Sequence, residues 1–227
     1  MEMMRCLSSR RLLRFLVLTG AALALAACAA RMVTVAIPPR VELTTYPSIG
    51  VIEFVSPQPG PLGADATRKF IANVHGAQPG VRILELGSQA KVLQEVGQSE
   101  LDFRAIRAVG EKYRVAAVLT GTIELSEPRP DVSISTSLSS ISANAKAKVE
   151  GRMSAKLWET ASGASTWSNS SWGNWTVGGI SLSSDGNISG GYHYPKEKQD
   201  QILMSLIKAL NGDFWPTYEK RRVEQGE

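Results

Sequence analysis

Three short apolar runs stand out in the first half of the chain. Ile49–Val55, Val81–Gly87 and Val115–Ser126 are rich in β-branched residues and are bounded by proline, glycine or polar residues, which is typical of buried strands. About 25 residues separate the first two runs, enough for a helical crossover between parallel strands. The pattern therefore predicts parallel strands that alternate with helices.

Candidate capping residues indicate where those helices begin. Asp65 precedes a segment through about His75 that carries apolar residues at helical spacing, and Ser88 precedes a second such segment. Ser99 and Asp102 have the spacing of a capping box in front of a third. We therefore expect one helix in the first crossover and two in the second.

From residue 128 the pattern changes to strict alternation of small or apolar residues with polar ones. Val132–Leu138 and Ala143–Leu157 alternate in this way on either side of a polar turn, as strands with two different faces do. Trp172–Leu182 and Ile188–Tyr194 flank a second turn that contains Asp-Gly, a strong hairpin signal. We therefore expect two consecutive β-hairpins at about residues 128–195.

A last apolar stripe predicts a closing helix. Its residues are Ile202, Leu203, Leu206, Ile207 and Leu210. The whole pattern predicts an α/β (α+β) fold, a mixed sheet with flanking helices followed by two β-hairpins and a C-terminal helix. We assign residues 48–215 to this domain and residues 216–227 to a solvated, charged tail.

Composition supports a folded domain and argues against a nucleic-acid partner. The chain has 227 residues, of which 43% are hydrophobic and 20% charged, a balance that excludes a disordered chain. Its net charge of +4 comes from 25 Lys and Arg against 21 Asp and Glu. Because four arginines and one glutamate lie within residues 1–27, the rest of the chain carries 21 basic and 20 acidic residues, a net charge of +1. A basic surface for nucleic acid is therefore not expected.

Residues 1–27 have the arrangement of an export signal peptide. Four arginines precede Phe15–Ala27, which carries no charge. This uncharged run is shorter than the roughly 20 residues that a transmembrane helix needs. We therefore favour a signal peptide over a permanent membrane anchor.

The signal peptide ends in Leu25, Ala26, Ala27 and Cys28, which resemble the bacterial lipobox. The resemblance implies cleavage before Cys28 and lipid attachment to its thiol, which leaves residues 28–47 as a lipidated cysteine and a proline-containing spacer. Several acyl chains hold a protein on a bilayer stably. Since no aspartate follows the cysteine, the resemblance implies a lipid anchor in the outer membrane, on its periplasmic face.

Five short phrases in the domain carry a further resemblance. They are Pro38–Leu43, Ile49–Phe54, Val81–Gly87, Ala117–Ile123 and Lys156–Gly163. In this order they resemble the curli-secretion lipoprotein family (CsgG-like) and its relatives, the TolB N-terminal domain and the lipoprotein activators of penicillin-binding proteins. The resemblance implies a mixed sheet and a role without catalysis in envelope assembly or export.

The channel-forming branch of that family suggests an alternative function, a subunit of an oligomeric secretion pore in the outer membrane. The two predicted hairpins are long enough to cross a bilayer. However, the expected lipid face of the first is mostly alanine and that of the second is rich in serine, and such faces bury little apolar area. We therefore favour an interaction or assembly component whose partners are envelope proteins or further copies of itself.

Motifs for catalysis are missing from the sequence. It has no nucleophile elbow, phosphate-binding loop, zinc motif or dinucleotide fingerprint, and His75 and His193 have no nearby ligand partner. We expect no enzymatic activity, no cofactor and no metal. Glu53 and Glu85 are each the one charged residue in the apolar part of a strand. They either face solvent or, if buried together, form a functional cleft such as that of a cell-wall hydrolase.

A group of aromatic residues is the other candidate site. Its members are Trp167, Trp172, Trp175, Tyr192 and Tyr194. Core packing is the usual reason for aromatic residues in strands, but these lie among serine, glycine and asparagine with few aliphatic neighbours. We therefore interpret them as a possible interaction patch for a partner protein, a glycan or a membrane interface.

Overall fold

The computed structural model describes residues 31–137, 140–182, 188–191 and 196–223. Within these residues the chain forms nine strands and four α-helices. In chain order they are β1 (Arg31–Ile37), β2 (Ile49–Ile52), α1 (Leu62–Ala77), β3 (Ile83–Gly87), α2 (Gln89–Val96), α3 (Phe103–Tyr113), β4 (Ala117–Leu125), β5 (Arg129–Ser137), β6 (Ser140–Glu159), β7 (Ser165–Leu182), β8 (Ile188–Gly191), α4 (Lys196–Leu210) and β9 (Thr217–Val223). The chain divides into two compact units, one of residues 38–216 and one of the two terminal segments.

The terminal segments form one antiparallel strand pair. β1 pairs with β9 along its whole length, with Ile37 opposite Thr217. The sequence pattern predicted no strand here but a spacer over residues 28–47 and a charged tail over residues 216–227. Every side chain of these two strands whose burial the structure describes is at least partly exposed. The buried face that normally produces a recognisable strand pattern is therefore missing.

The large unit is built on one seven-stranded mixed sheet. Its order is β3-β2-β4-β6-β7-β8, and β5 also pairs with β6. β2 is parallel to both β3 and β4, whereas all other neighbours are antiparallel. β4 and β5 share one edge of β6, β4 along residues 151–159 and β5 along residues 140–148. The predicted fold class, with its parallel crossovers and flanking helices, is confirmed.

Both predicted hairpin pairings are present. β5 pairs with β6, β6 with β7 and β7 with β8. The backbone register places Ile134 opposite Ala143, and Leu182 opposite Ala143 and Ile188.

Helices cover the sheet on both faces, over two apolar clusters. α1 and α4 pack over the larger one, in which Phe54 and Phe70 have ring centroids 5.1 Å apart. α2 and α3 pack over the smaller one, which contains Ile106. Neighbouring residues of β4 contribute to different clusters, Leu119 to the larger and Val118 to the smaller. Each large side chain buried in this way contributes about 1.5–3 kcal/mol relative to its exposed state.

The closing helix is confirmed, while two of the predicted helix starts are wrong. All five residues of the predicted stripe on α4 are buried. Ser88 caps α2, since its side chain accepts a hydrogen bond from the Lys91 amide. Asp65 lies inside the first turn of α1, where a carboxylate favours the helix dipole, and Pro61 is the N-cap. Asp102, and not Ser99, is the N-cap of α3.

Candidate functional site

The predicted lipidation site lies outside the described residues. Cys28 and the lipobox residues Leu25, Ala26 and Ala27 precede residue 31, where the described chain begins. Lipidation therefore stays a prediction from the sequence. In the part of the chain that the structure describes, no helix combines the length and the apolar character needed to cross a bilayer.

The structure separates the members of the predicted aromatic patch. Tyr192 and Tyr194 lie outside the described residues. Trp167 is only 8% exposed, and Trp175 is half-buried against the larger apolar cluster. Trp172 is 76% exposed. Of the three tryptophans of the predicted patch, Trp172 is the most exposed.

Trp167 belongs to the protein interior because of its position in β7. Its ring centroid lies 4.6 Å from that of Phe214, which is fully buried. Its indole Nε1 donates a hydrogen bond to Asp213 Oδ2 at 3.1 Å. The large aromatic surface and the polar N–H are both satisfied internally, so Trp167 does not belong to a surface patch.

Trp172 lies on the face of β7 opposite the one on which α4 packs. In β6 and β7, the odd-numbered residues around it are buried or half-buried, and the even-numbered residues are mostly exposed. The exposed residues of this face next to Trp172 are Ser168, Ser170, Asn174, Arg152 and Lys156. The face therefore presents one large aromatic ring among polar and charged groups.

A shallow groove adjoins the Trp172 ring. It encloses about 340 Å³ and includes Glu124, Arg129, Glu150, Arg152 and Asn174 in its lining. Arg152 is paired in register with Trp172 on one side and with Glu124 on the other. We call this region the Trp172 groove. It combines an aromatic ring and two guanidinium groups, which are enriched in protein interfaces, with two carboxylates.

A second, larger crevice lies at the carboxyl ends of β2 and β3. It encloses about 660 Å³ and is bounded by residues 53–63, which connect β2 to α1, and by residues 88–99, which include α2. Its side chains include Ser56, Ser88 and a series of glutamines at positions 58, 89, 94 and 98. The sequence analysis did not single out these glutamines, although their close spacing in residues 89–98 was visible.

Glu53 and Glu85 do not form a common cleft. Glu53 is half-buried and lines the crevice, whereas Glu85 is exposed and is not part of its lining. The paired carboxylates that a hydrolase of the kind considered above requires are therefore not brought together. Among the described residues, no group of three or more His, Cys, Asp or Glu side chains is placed to hold a metal ion.

Comparison with known proteins yields similarities to solved structures only. No protein-family model matches the sequence, and no curated protein matches it. The PelC dodecamer from Paraburkholderia phytofirmans is 14% identical, with a TM-score of 0.40, over 82% of this chain and 96% of that chain. Lipoprotein GNA1162 from Neisseria meningitidis is 16% identical, with a TM-score of 0.33, over 71% of this chain and 93% of that chain. The LpoB C-terminal domain from Escherichia coli is 14% identical, with a TM-score of 0.32, over 59% of this chain and 87% of that chain. These identities and TM-scores are too low for any property of those proteins to be carried over to this chain.

Proposed function

We propose that this protein is a lipid-anchored component of the bacterial cell envelope that acts by binding a partner protein, without catalysis. In this proposal Cys28 carries the lipid, and the domain faces the periplasm from the outer membrane. The observation that carries the binding role is the 76% exposure of Trp172 on the face of β7 opposite α4. The lipobox-like sequence supports the location.

The surroundings of Trp172 support a fixed recognition surface. β7 pairs with β6 along residues 165–176, and its inward side chains are tied to α4. Asn169 Nδ2 donates a hydrogen bond to the Leu210 carbonyl oxygen at 2.9 Å, and Ser171 Oγ donates one to the Leu206 carbonyl oxygen at 2.9 Å. Because the strand is held on its inner side, little backbone entropy is lost when a partner binds its outer side.

Exposure of this ring in water is unfavourable, which argues for a partner that covers it. Burial of apolar surface is worth roughly 25 cal/mol per Å², and tryptophan and arginine are enriched among the residues that dominate binding energy. The nearby Arg152 and Glu124 add charge complementarity and thereby specificity. An envelope protein with an apolar pocket bordered by both signs of charge fits this surface.

Site-specific photocrosslinking in bacterial cells tests the binding role. We expect a photoreactive phenylalanine at position 170 or 174, beside the intact Trp172, to give a discrete crosslinked product. The same residue at Glu111, which is exposed on α3, should give none. Trp172→Ala should abolish the product, whereas Phe103→Ala, which removes another exposed aromatic ring, should leave it. Equal labelling from all positions would contradict the proposal.

The anchor is tested separately. Mass spectrometry of the native protein should find an N-terminus at Cys28 that carries acyl chains, and Cys28→Ser should release the protein from membranes. An unprocessed leader or an unmodified thiol would refute the location and leave the binding role of Trp172 to be judged by crosslinking.

The length of two strands favours a second function, the subunit of an oligomeric secretion pore. β6 has 20 residues and β7 has 18, more than the roughly 9–11 residues that a strand needs to cross a bilayer. The two functions differ in solution. A leaderless Cys28→Ser protein that is monomeric without detergent supports the binding component, and a ring of many copies that requires detergent supports the pore.

A further inference from the structure

We propose that the crevice at the carboxyl ends of β2 and β3 binds an uncharged, N-acetylated oligosaccharide. This site is separate from the Trp172 groove, since the two linings share no residue. The proposal stands on the position of the crevice in the sheet, on the chemistry of its lining and on the rigidity of its walls.

The position is the one where open α/β sheets bind ligands. β2 lies between β3 and β4 and is parallel to both. The crossover from β2 to β3 runs through α1 over one apolar cluster, and the return to β4 runs through α2 and α3 over the other. The two connections therefore leave β2 and β3 toward opposite faces. Ligands of open α/β sheets bind outside the carboxyl ends of the parallel strands, and residues 53–63 and 88–99 line the cavity at this end of β2 and β3.

The lining favours a ligand with many hydroxyl and amide groups. Each glutamine side chain offers donors and acceptors. Ser56 Oγ donates to Gln58 Oε1, and Gln58 Nε2 donates to the Leu125 carbonyl oxygen, so these two side chains already have partners. Gln89, Gln94 and Gln98 make no side-chain hydrogen bond with other described residues, so their amides are free to bind. Among the described residues, no lysine or arginine lines the cavity, and the Glu53 carboxylate would repel an anion. The floor includes Val55 and Leu93, which suit the C–H face of a sugar ring.

The walls of the crevice are preorganised. Thr67 Oγ1 accepts a hydrogen bond from the Phe54 amide and donates one to the Gly63 carbonyl oxygen, both at 2.8 Å. A Cβ at Gly63 would overlap the Phe54 carbonyl oxygen, so glycine allows the start of α1 to lie against the end of β2. On the other wall, Gly97 ends α2 in the left-handed region at a φ of 67°. The walls therefore lose little conformational entropy when a ligand binds.

The size and shape separate a glycan from other uncharged ligands. The volume of about 660 Å³ falls within the range of about 300–1,000 Å³ of small-molecule sites. A peptide that fills this volume would need apolar pockets for its side chains, whereas the crevice has polar walls over an apolar floor. An N-acetylated sugar presents hydroxyls and an acetamide to such walls at every ring.

Calorimetric titration of the full chain with chitotetraose tests the proposal. We expect a dissociation constant in the micromolar to millimolar range and at least about tenfold weaker binding for Ala90→Phe, which fills the crevice from α2. Ala72→Phe is the matched control, because Ala72 is exposed on α1 and lies outside the lining. It should bind within about twofold of the unchanged protein. If Ala90→Phe does not fold, Gln89→Ala combined with Gln94→Ala replaces it.

Two results would overturn the proposal. One is the absence of binding by the unchanged protein, or equal binding by the crevice variants and the Ala72→Phe control. The other is tighter binding of a sulfated tetrasaccharide than of chitotetraose, since the crevice has a carboxylate and no cation. Trp172→Ala should leave the titration unchanged, which separates this outcome from the fate of the proposed partner surface.

Discussion

Glu95 links α2 to α3 through a tyrosine hydroxyl. Tyr113 Oη donates a hydrogen bond to Glu95 Oε2 at 2.7 Å, and Lys112 Nζ lies 3.7 Å from the same oxygen. The hydrogen bond from Tyr113 lowers the pKa of Glu95, and the nearby lysines lower it further. Burial raises the pKa of Tyr113 to about 12, with the Glu95 carboxylate as the second cause. The pair is stable as a neutral phenol beside a carboxylate.

This pair predicts how stability depends on alkaline pH. The pKa of Tyr113 is about 12 in the folded protein and about 10 in the unfolded chain. Its contribution is therefore fully present below pH 10 and is lost as the pH rises through 12, because the unfolded state loses the proton first. We expect Tyr113→Phe to reduce the fall in the free energy of unfolding over this interval, measured by urea denaturation.

Tyr218→Phe is the control for this measurement, since the Tyr218 side chain is 68% exposed. It should leave the alkaline fall unchanged. In Tyr113→Phe, the phenolate absorbance of the folded protein should lose a component that titrates near pH 12. An equal effect of both substitutions would show that the Glu95–Tyr113 contact does not control this transition.

At the scale of elements, two helical glycines have different surroundings. A Cβ at Gly110 in α3 would overlap the Thr160 side chain, which follows β6. Thr160 cannot move easily, because its Oγ1 donates to the carbonyl oxygens of Val115 and Ala116. A Cβ at Gly76 in α1 would meet only the Trp215 ring, at 3.7 Å. Gly110 therefore sets how closely α3 approaches the sheet.

We expect opposite effects when these glycines are replaced. Gly110→Ala should destabilise the protein by about 1–3 kcal/mol through overpacking. Gly76→Ala should stabilise it by up to about 1 kcal/mol, because alanine loses less backbone freedom in a helix. Thermal and urea unfolding of both variants measures the difference. A loss of stability in Gly76→Ala as large as that in Gly110→Ala would contradict the packing argument.

The elements that bury a face were predictable, and those that do not were missed. β2, β4 and α4 were recognised because burial on one or both sides imposes a pattern on their residues. β1 and β9 have no such face. Helix starts depend on which of several polar residues the backbone turn selects, which explains why Asp102 caps α3 in place of Ser99.

The exposure of Trp172 was predictable from strand periodicity, whereas the crevice was not. Trp167 and Trp172 are five positions apart, and in a strand an odd spacing places two residues on opposite faces. Trp175 is eight positions from Trp167 and shares the inner face with it. Strand periodicity thus already separates Trp172 from the other two. The crevice was not predictable, since its two walls are 25 or more residues apart and meet only through the crossover from β2 to β3.

At the scale of the whole molecule, one buried amide joins the two ends of the large unit. Gln78 follows α1 and is 6% exposed. Its Oε1 accepts a hydrogen bond from the Leu43 amide at 2.7 Å. Its Nε2 donates to the carbonyl oxygens of Val41 at 2.7 Å and Phe214 at 3.0 Å. The segment that enters the unit and the segment that leaves it are thus joined through one side chain.

The hydrogen bonds of Gln78 predict which changes the large unit tolerates. Gln78→Met keeps the shape of the side chain but leaves one donor and two acceptors of the backbone without their partner, so we expect a loss of about 2–4 kcal/mol in the free energy of unfolding.

Removal of residues 217–227 should change the free energy of unfolding of residues 38–216 by less than about 1 kcal/mol, because β9 pairs with β1, outside this unit. Urea denaturation measures both, with Gln94→Met, at an exposed position, as the control for the amide substitution. A truncation as costly as Gln78→Met would mean that the terminal strand pair, and not the Gln78 amide, holds the large unit together.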